Sequence, residues 1–187
     1  VGFVSFFMNE NQLNLVAPAF IGIFLIWGFI TFSSGLSLIV TFVPAMVISY
    51  ICYVFSTYRK MPNPDRIVPL YFFALGIQLI HFGEEFVGEF YAKFPPLIDG
   101  SPGYSQDLFV VFNMWAYFVM ILGGIGLYKG KKIPSFIAWF FIIMGVAGNA
   151  IVHSIFCLMN GGYFPGFYTS LVYWILAPIL IKRMFGK

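Results

Sequence analysis

The sequence predicts an all-α protein, a polytopic membrane helix bundle with about six transmembrane helices. Of its 187 residues, 60% are hydrophobic and only 9% are charged, and the mean hydropathy is +0.91. Soluble domains carry about 25% charged residues, so this composition excludes a soluble fold. A membrane span needs about 20 apolar residues, and at that length the chain accommodates about six spans.

Hydropathy and helix breakers divide the chain into six apolar segments. They are expected at about residues 14–32, 36–58, 67–91, 105–128, 134–159 and 165–183. The first segment follows the polar stretch 9–12 and ends at the turn 33–35. The second contains Pro44, where we expect a kink of the kind that membrane helices tolerate.

Prolines and charged residues set the remaining boundaries. The third segment is expected to stop at the Pro95-Pro96 pair, and the loop 99–103 precedes the fourth. The fifth segment begins near Pro134, because proline is favourable in the first turn of a helix. The sixth ends at the basic pair Lys182-Arg183.

Basic residues predict the orientation of the bundle, because Lys and Arg are retained on the cytoplasmic side. An alternating six-helix path places nine of the ten basic residues on one side and leaves only Lys93 on the other. The nine are Arg59, Lys60, Arg66, Lys129, Lys131, Lys132, Lys182, Arg183 and Lys187. We therefore expect both termini to be cytoplasmic and the protein to lie in a bacterial or archaeal plasma membrane.

No repeat or linker separates domains, so residues 1–187 are expected to form a single membrane domain. The net charge of +3 comes from loop residues and gives no case for a nucleic-acid partner. Cys52 and Cys157 lie in apolar runs, which favours free buried thiols over a disulfide. The expected partners are membrane lipids, a hydrophobic small-molecule substrate, and partner subunits or further copies of the chain.

Ionisable residues cluster in one part of this apolar sequence. Three of the seven acidic residues, Glu84, Glu85 and Glu89, lie within six positions, and the only histidines are His81 and His153. At about 1.5 Å per residue, Glu85 and His153 share a depth of about 27–28 Å from the cytoplasmic ends of their helices. This depth lies in the outer half of the membrane. Unpaired ionisable groups there cost several kcal/mol each, so they must face the bundle interior.

Helical spacing gathers further polar residues at this level. Four residues of the third helix are three or four positions apart and so share one side: His81, Glu84, Glu85 and Glu89. Asn149 and His153 are likewise four positions apart on the fifth helix. Three residues of other helices come near the same depth, namely Asn113, Tyr168 and Thr169. The small residues of 145–150 would let a neighbouring helix approach closely.

Three short motifs surround these residues. H-x-x-E-E covers 81–85, N-A-x-x-H covers 149–153 and Y-x-P-G-x-x-T covers 163–169. In this order they resemble the HXXEE family of small integral membrane proteins. The resemblance implies a membrane enzyme with a site formed by His81, Glu84, Glu85, Asn149 and His153. It also divides the chain into an N-terminal two-helix extension, 1–66, and a motif-bearing four-helix part, 67–187.

A metal site is the leading hypothesis for the chemistry. Imidazole and carboxylate groups suit zinc or non-haem iron. His81, Glu85 and His153 could supply three ligands and leave a fourth position open for water or substrate. Glu84 or Glu89 would then serve as general base or as a hydrogen-bond acceptor behind a ligand. Asn149 would orient the reacting groups by donating a hydrogen bond.

Four other interpretations stay open. Without a metal, the adjacent carboxylates of Glu84 and Glu85 would repel each other, so one would stay protonated and act as an acid on a lipid. Chains of Glu, His and Asn are also typical of proton or ion pathways in transporters. The cluster could instead only hold the helices together through Glu–His hydrogen bonds. Finally, so small a bundle could be an accessory subunit of a larger membrane complex.

Overall fold

A computed structural model describes residues 8–186, which fold into a bundle of helices. The helices are α1 Glu10–Phe32, α2 Ser37–Phe55, α3 Pro64–Val87, α4 Phe90–Asp99, α5 Gln106–Tyr128, α6 Lys132–Phe140, a π-helix Phe141–Gly148, α7 Asn149–Asn160 and α8 Phe167–Met184. The all-α prediction is therefore confirmed for the described part of the chain.

Five helical segments are long and apolar enough to cross a membrane, which supports a multi-pass membrane protein. They are α1, α2, α3, α5 and the continuous segment Lys132–Asn160, which joins α6, the π-helix and α7. The sixth predicted span corresponds to α8, which has only 18 residues and carries Lys182 and Arg183 in its last turn. Six spans and two cytoplasmic termini therefore stay predictions, and Lys187 lies outside the described residues.

The ends of two helices differ from the prediction for identifiable reasons. α1 begins four residues earlier than expected, because Asn9 and Gln12 form reciprocal side-chain-to-backbone hydrogen bonds that cap its first turn. α3 ends at Val87, four residues before the predicted end, and the prediction of one helix through Tyr91 is wrong. Pro165 lies against the Cα of Gly88, where a Cβ atom would be only 2.6 Å from the proline ring.

α4 is a separate short helix where the sequence predicted a stop at Pro95-Pro96. Proline removes one backbone N–H from a helix, which leaves the carbonyl four residues earlier without its donor. For Pro95 that carbonyl belongs to Tyr91, and it accepts a hydrogen bond of 2.8 Å from the backbone N–H of Tyr104 instead. The helix therefore continues through both prolines to Asp99.

The α1–α2 turn is tied to the end of α4. Asp99 accepts hydrogen bonds from the backbone N–H groups of Leu36, at 2.7 Å, and Ser101, at 3.0 Å. Hydrogen bonds from Ser101 and Leu36 lower the pKa of this exposed carboxyl group. Gly35 has a φ of +56° and lies so close to Asp99 and Ser101 that a side chain would collide with both.

One hydrophobic core joins the N-terminal helices to the motif-bearing part. α2 packs against α6 and the π-helix, and α8 packs against α3, α7 and the π-helix. Met46 and Tyr53 of α2 share this core with Phe136 and Trp139 of α6 and with Tyr173 of α8. The first two helices therefore support the elements that carry the motifs.

An eight-residue π-helix, Phe141–Gly148, interrupts the fifth predicted helix immediately before Asn149. Insertions of π-helical geometry into α-helices often lie at functional sites. Because a π-helix has more residues per turn than an α-helix, it rotates the faces of the residues that follow it. Its position therefore influences which side of α7 presents Asn149 and His153 to the bundle.

Candidate metal site

Three ionisable side chains from two helices meet inside the bundle. His81 and Glu85 lie one turn apart on α3, and His153 lies on α7. The Nε2 atom of His81 is 3.5 Å from Oε1 of Glu85, and Nε2 of His153 is 3.3 Å from the same oxygen. All three residues are buried, and each offers an atom within 4.8 Å of the others. We call these three residues the imidazole cluster.

The two contacts to Glu85 are compatible with a small metal ion, and the ligand atoms of the two histidines lie within 4.8 Å of each other. Zinc binds histidine nitrogen and carboxylate oxygen at about 2.0–2.2 Å, and tetrahedral angles then separate neighbouring ligand atoms by about 3.4 Å. The two measured contacts to Glu85 lie within about 0.1 Å of that separation. The chemistry of the donors also fits, since neutral imidazole and carboxylate are ligands of zinc and of non-haem iron.

The two imidazole rings are incompletely paired. Nε2 of His81 and Nδ1 of His153 are buried, and neither has a hydrogen-bond partner among residues 8–186. The rings pack edge to face, with centroids 4.7 Å apart. An unpaired buried polar atom costs about 1–3 kcal/mol. A ligand beside Glu85 would supply the missing partner of Nε2 of His81, whereas Nδ1 of His153 lies against Gly166.

Gly166 lies directly against both imidazole rings. It precedes α8 with a φ of +91°, in the left-handed region. A Cβ atom at this position would be 2.3 Å from Cε1 of His153 and 2.9 Å from Cε1 of His81. The position therefore needs glycine both for its backbone conformation and for the space that the rings occupy.

Glu84 does not face the imidazole cluster but binds the first turn of α8. Its carboxylate accepts hydrogen bonds from the backbone N–H groups of Tyr168, at 3.0 Å, and Thr169, at 2.9 Å. Gly166 has no side chain with which to cap α8, so Glu84 of α3 caps it instead. The helix dipole favours a negative charge at this N-terminus. Tyr163 also donates to Glu84, and burial together with this contact raises the pKa of Tyr163 to about 12.

Thr169 connects Glu84 to the imidazole cluster. Its hydroxyl donates a 2.6 Å hydrogen bond to Glu84 and lies 2.7 Å from Nδ1 of His81. Thr169 therefore joins the end of α8 to a ring of α3. The sequence placed it near this depth, and the structure gives it a defined contact with a candidate ligand.

Asn149 lies in a second polar layer beside the imidazole cluster. Its amide donates to the carbonyl of Gly145 at 3.1 Å and to Oε1 of Gln78 at 3.4 Å. Oε1 of Gln78 also accepts a 2.8 Å hydrogen bond from Tyr173, whose ring packs edge to face on His81. Sequence reasoning did not assign Gln78 or Tyr173 to the site. The spacing of three residues between Gln78 and His81 was the available signal.

Three of the predicted supporting residues lie elsewhere. Glu89 follows the end of α3 in a left-handed conformation, is exposed, and pairs with Lys93 at 3.8 Å. The amide of Asn113 donates to the carbonyl of Phe109 in its own helix. The side chain of Tyr168 is exposed, and only its backbone N–H contacts Glu84.

No protein-family model, curated protein or solved structure matches this chain. The function proposed below therefore depends on the geometry of the chain's own residues.

Proposed function

We propose that the protein is a membrane-embedded, metal-dependent enzyme that acts on a lipid-like or other hydrophobic substrate, with His81, Glu85 and His153 as metal ligands. The observation that carries the proposal is the convergence of two imidazole Nε2 atoms on one carboxylate oxygen in a buried site. The resemblance to the HXXEE family belongs to the same proposal, because two of its motifs contain all three ligands.

The number of ligands favours catalysis over a purely structural role for the metal. Structural zinc sites are closed by four protein ligands, whereas catalytic sites use three and keep one position for water or substrate. Within the described residues, the imidazole cluster offers three. A bound zinc or iron ion would polarise a substrate oxygen or lower the pKa of a bound water.

The surroundings of the cluster favour a hydrophobic substrate. The rings of Phe90 and Phe156 lie 5.5 Å and 5.8 Å from that of His153. His81 and His153 are at most 1% exposed, so bulk water does not reach them. Val87 and Leu158, on the two helices that carry the ligands, are each 82% exposed on the apolar surface of the bundle. A substrate would therefore reach the site more directly from the bilayer than from bulk water.

The core below the site favours an enzyme over a proton pathway. Beyond Gln78, the buried residues towards the other end of α3 are Leu75, Ala74, Tyr71 and Ile67. The hydroxyl of Tyr71 is already used, since it donates to the carbonyl of Met120 at 2.7 Å. A proton relay needs exchangeable groups along its whole length, and apart from Tyr71 the buried residues of α3 in this stretch are apolar.

Elemental analysis of the purified protein tests the metal proposal. The protein should be prepared in detergent without a histidine tag, loaded with zinc or ferrous iron, and desalted. We expect about one ion per wild-type chain and none in His81→Ala or His153→Ala. Asn113→Ala is the matched control and should retain the ion, because the amide of Asn113 donates its hydrogen bond to a carbonyl of its own helix. A wild-type protein that binds neither metal would contradict the proposal.

Lipid analysis tests the enzymatic part separately. Wild-type protein and His153→Ala would be reconstituted with a bacterial lipid extract, with and without metal, and the lipids compared by mass spectrometry. We expect metal-dependent loss of at least one lipid-soluble component with the wild type alone. Identical lipid profiles for a wild-type protein that holds its metal would contradict an enzyme acting on components of that extract.

A further inference from the structure

We infer that Thr169 and Glu84 are positioning residues that hold His81 in the tautomer with a proton on Nδ1 and a free electron pair on Nε2. This inference rests on the proposed function, because that tautomer prepares Nε2 to bind a metal. It concerns α8 and the loop before it, which contribute no ligand themselves.

The first step is the hydrogen bonding of Glu84. Its two oxygens accept four hydrogen bonds, from the hydroxyl of Tyr163, the N–H of Tyr168, the N–H of Thr169 and the hydroxyl of Thr169. A carboxylate has about four acceptor positions, so this set saturates it. In each of these four hydrogen bonds, the group that faces Glu84 must therefore supply the proton.

The second step assigns the hydroxyl proton of Thr169. A threonine hydroxyl has one proton to donate and can accept with its electron pairs. Because that proton points to Glu84 at 2.6 Å, the 2.7 Å contact between Thr169 and Nδ1 of His81 requires the proton of Nδ1. This tautomer is assigned from the hydrogen-bond network.

The third step is the consequence at Nε2. A neutral imidazole protonated on Nδ1 carries an electron pair on Nε2, which here faces Oε1 of Glu85 at 3.5 Å. Two acceptors facing each other without a proton form no hydrogen bond, in agreement with the unpaired state of Nε2. A cation between them would satisfy both. Metal-binding histidines typically donate their other N–H to an oxygen in this way, which fixes the tautomer and orients the ring.

The two histidines differ in this respect. Nδ1 of His81 has Thr169 as a partner, whereas Nδ1 of His153 has none in the part of the chain that the structure describes and lies against Gly166. We therefore expect the positioning effect at His81 and not at His153. This difference provides an internal control, since the two rings are the only histidines in the chain.

Nitrogen NMR of the metal-free protein tests the inference without any metal or activity. Protein labelled with ¹⁵N only in histidine gives signals from two rings, which His153→Ala assigns. In mildly alkaline buffer we expect His81 to be protonated on Nδ1 and unprotonated on Nε2, in the wild type and in Thr169→Ser. Thr169→Val should shift His81 towards the Nε2-protonated form, because Glu85 is then its only acceptor.

Thr41→Val is the matched control for removal of a hydroxyl. Among the described residues, the hydroxyl of Thr41 bonds to carbonyls of its own helix, so this variant should leave the His81 signals unchanged. A wild-type His81 protonated on Nε2, as the other neutral tautomer or as imidazolium, would overturn the inference. Signals of His81 that are the same in Thr169→Val and the wild type would overturn it as well.

Metal affinity supplies the second readout. Loss of a group behind a ligand typically costs 10–100-fold in affinity, so we expect about that loss for Thr169→Val and recovery in Thr169→Ser. If the wild-type protein binds no metal, the proposed function fails, while the NMR result still decides the tautomer. If metal binds equally to wild type and Thr169→Val, the positioning role fails and the proposed ligands stand.

Discussion

The two ends of the bundle each bury a polar cluster, and the two clusters differ in kind. At the end where α6 begins, Trp139 donates to the hydroxyl of Ser56 at 2.8 Å, and Ser135 donates to Thr57 at 2.9 Å. We call these four residues the hydroxyl cluster. All are uncharged, and each has a partner. The imidazole cluster at the other end has three ionisable groups, and two of its ring nitrogens have no hydrogen-bond partner within the described residues.

This difference separates a structural role from a functional one. Paired neutral groups satisfy one another and hold helices together at a net gain of about 1 kcal/mol per hydrogen bond. Buried ionisable groups with unpaired atoms are costly, so a fold retains them for chemistry or for a ligand. We therefore expect changes in the hydroxyl cluster to affect stability alone, and changes around the imidazole cluster to affect metal binding.

The largest effect is expected from Gly166→Ala. The left-handed backbone costs a non-glycine residue about 1–2 kcal/mol, and overpacking against the imidazole rings adds about 1–3 kcal/mol. We therefore expect a loss of about 2–5 kcal/mol in the free energy of unfolding, together with the loss of bound metal. Thermal denaturation and elemental analysis would measure the two effects.

Gly161→Ala is the control for Gly166→Ala. Gly161 also has a left-handed backbone, with a φ of +71°, but apart from its chain neighbours and the adjacent helix backbone no atom of the described residues lies within 4 Å of the position of its Cβ. This variant should lower the free energy of unfolding only by the ~1–2 kcal/mol that the left-handed backbone costs alanine, and it should keep its metal. Equal metal content in both glycine variants would show that Gly166 does not define the space around the rings.

A smaller effect is expected from Ser135→Ala in the hydroxyl cluster. The substitution removes a buried hydroxyl whose oxygen lies 2.9 Å from the hydroxyl of Thr57 and 2.6 Å from the carbonyl oxygen of Lys132. We expect it to lower the free energy of unfolding by about 1 kcal/mol, measured by thermal denaturation, and to leave metal content and the His81 tautomer unchanged. Loss of metal in Ser135→Ala would contradict the expectation that changes in the hydroxyl cluster affect stability alone.

The smallest effect is expected from Glu89→Gly, which tests where the imidazole cluster ends. Glycine adopts the left-handed backbone without strain, which raises the free energy of unfolding by about 1–2 kcal/mol. The greater freedom of glycine in the unfolded chain offsets about 0.5–1 kcal/mol of that gain. The exposed pair with Lys93 contributes little. We expect a slightly higher denaturation temperature with normal metal content. Metal loss in this variant would place Glu89 in the site after all.

The sequence predicted the residues of the imidazole cluster because so few ionisable residues compete with them. A spacing of four residues places His81 and Glu85 on one helix face, and depth counting placed His153 at the same level. The structure brings these three together. The same counting was wrong for Glu89, because it assumed that α3 continues past Val87. The helix ends there instead, at the point where Pro165 lies against Gly88.

Other features of the site depend on the conformation of the loop 161–166 and on the π-helix. The contact of Gly166 with both rings requires a left-handed backbone at one loop residue. The backbone hydrogen bonds to Glu84 form only if the first turn of α8 meets α3 at a particular angle. Helical periodicity contains neither kind of information, because it describes faces within one regular helix and not the packing of helix ends. Thr169 was therefore predicted only by its depth and by its place in the motif Y-x-P-G-x-x-T.

X-ray absorption spectroscopy of the metal-loaded protein tests the central claim most directly. With zinc or iron bound, we expect a first shell of nitrogen and oxygen at about 2.0–2.2 Å that includes two imidazoles. In His153→Ala, any residual bound metal should show at most one imidazole, while Ser135→Ala should give the wild-type spectrum. A wild-type spectrum without imidazole scattering, or with sulfur ligands, would contradict the assignment of His81 and His153 as ligands.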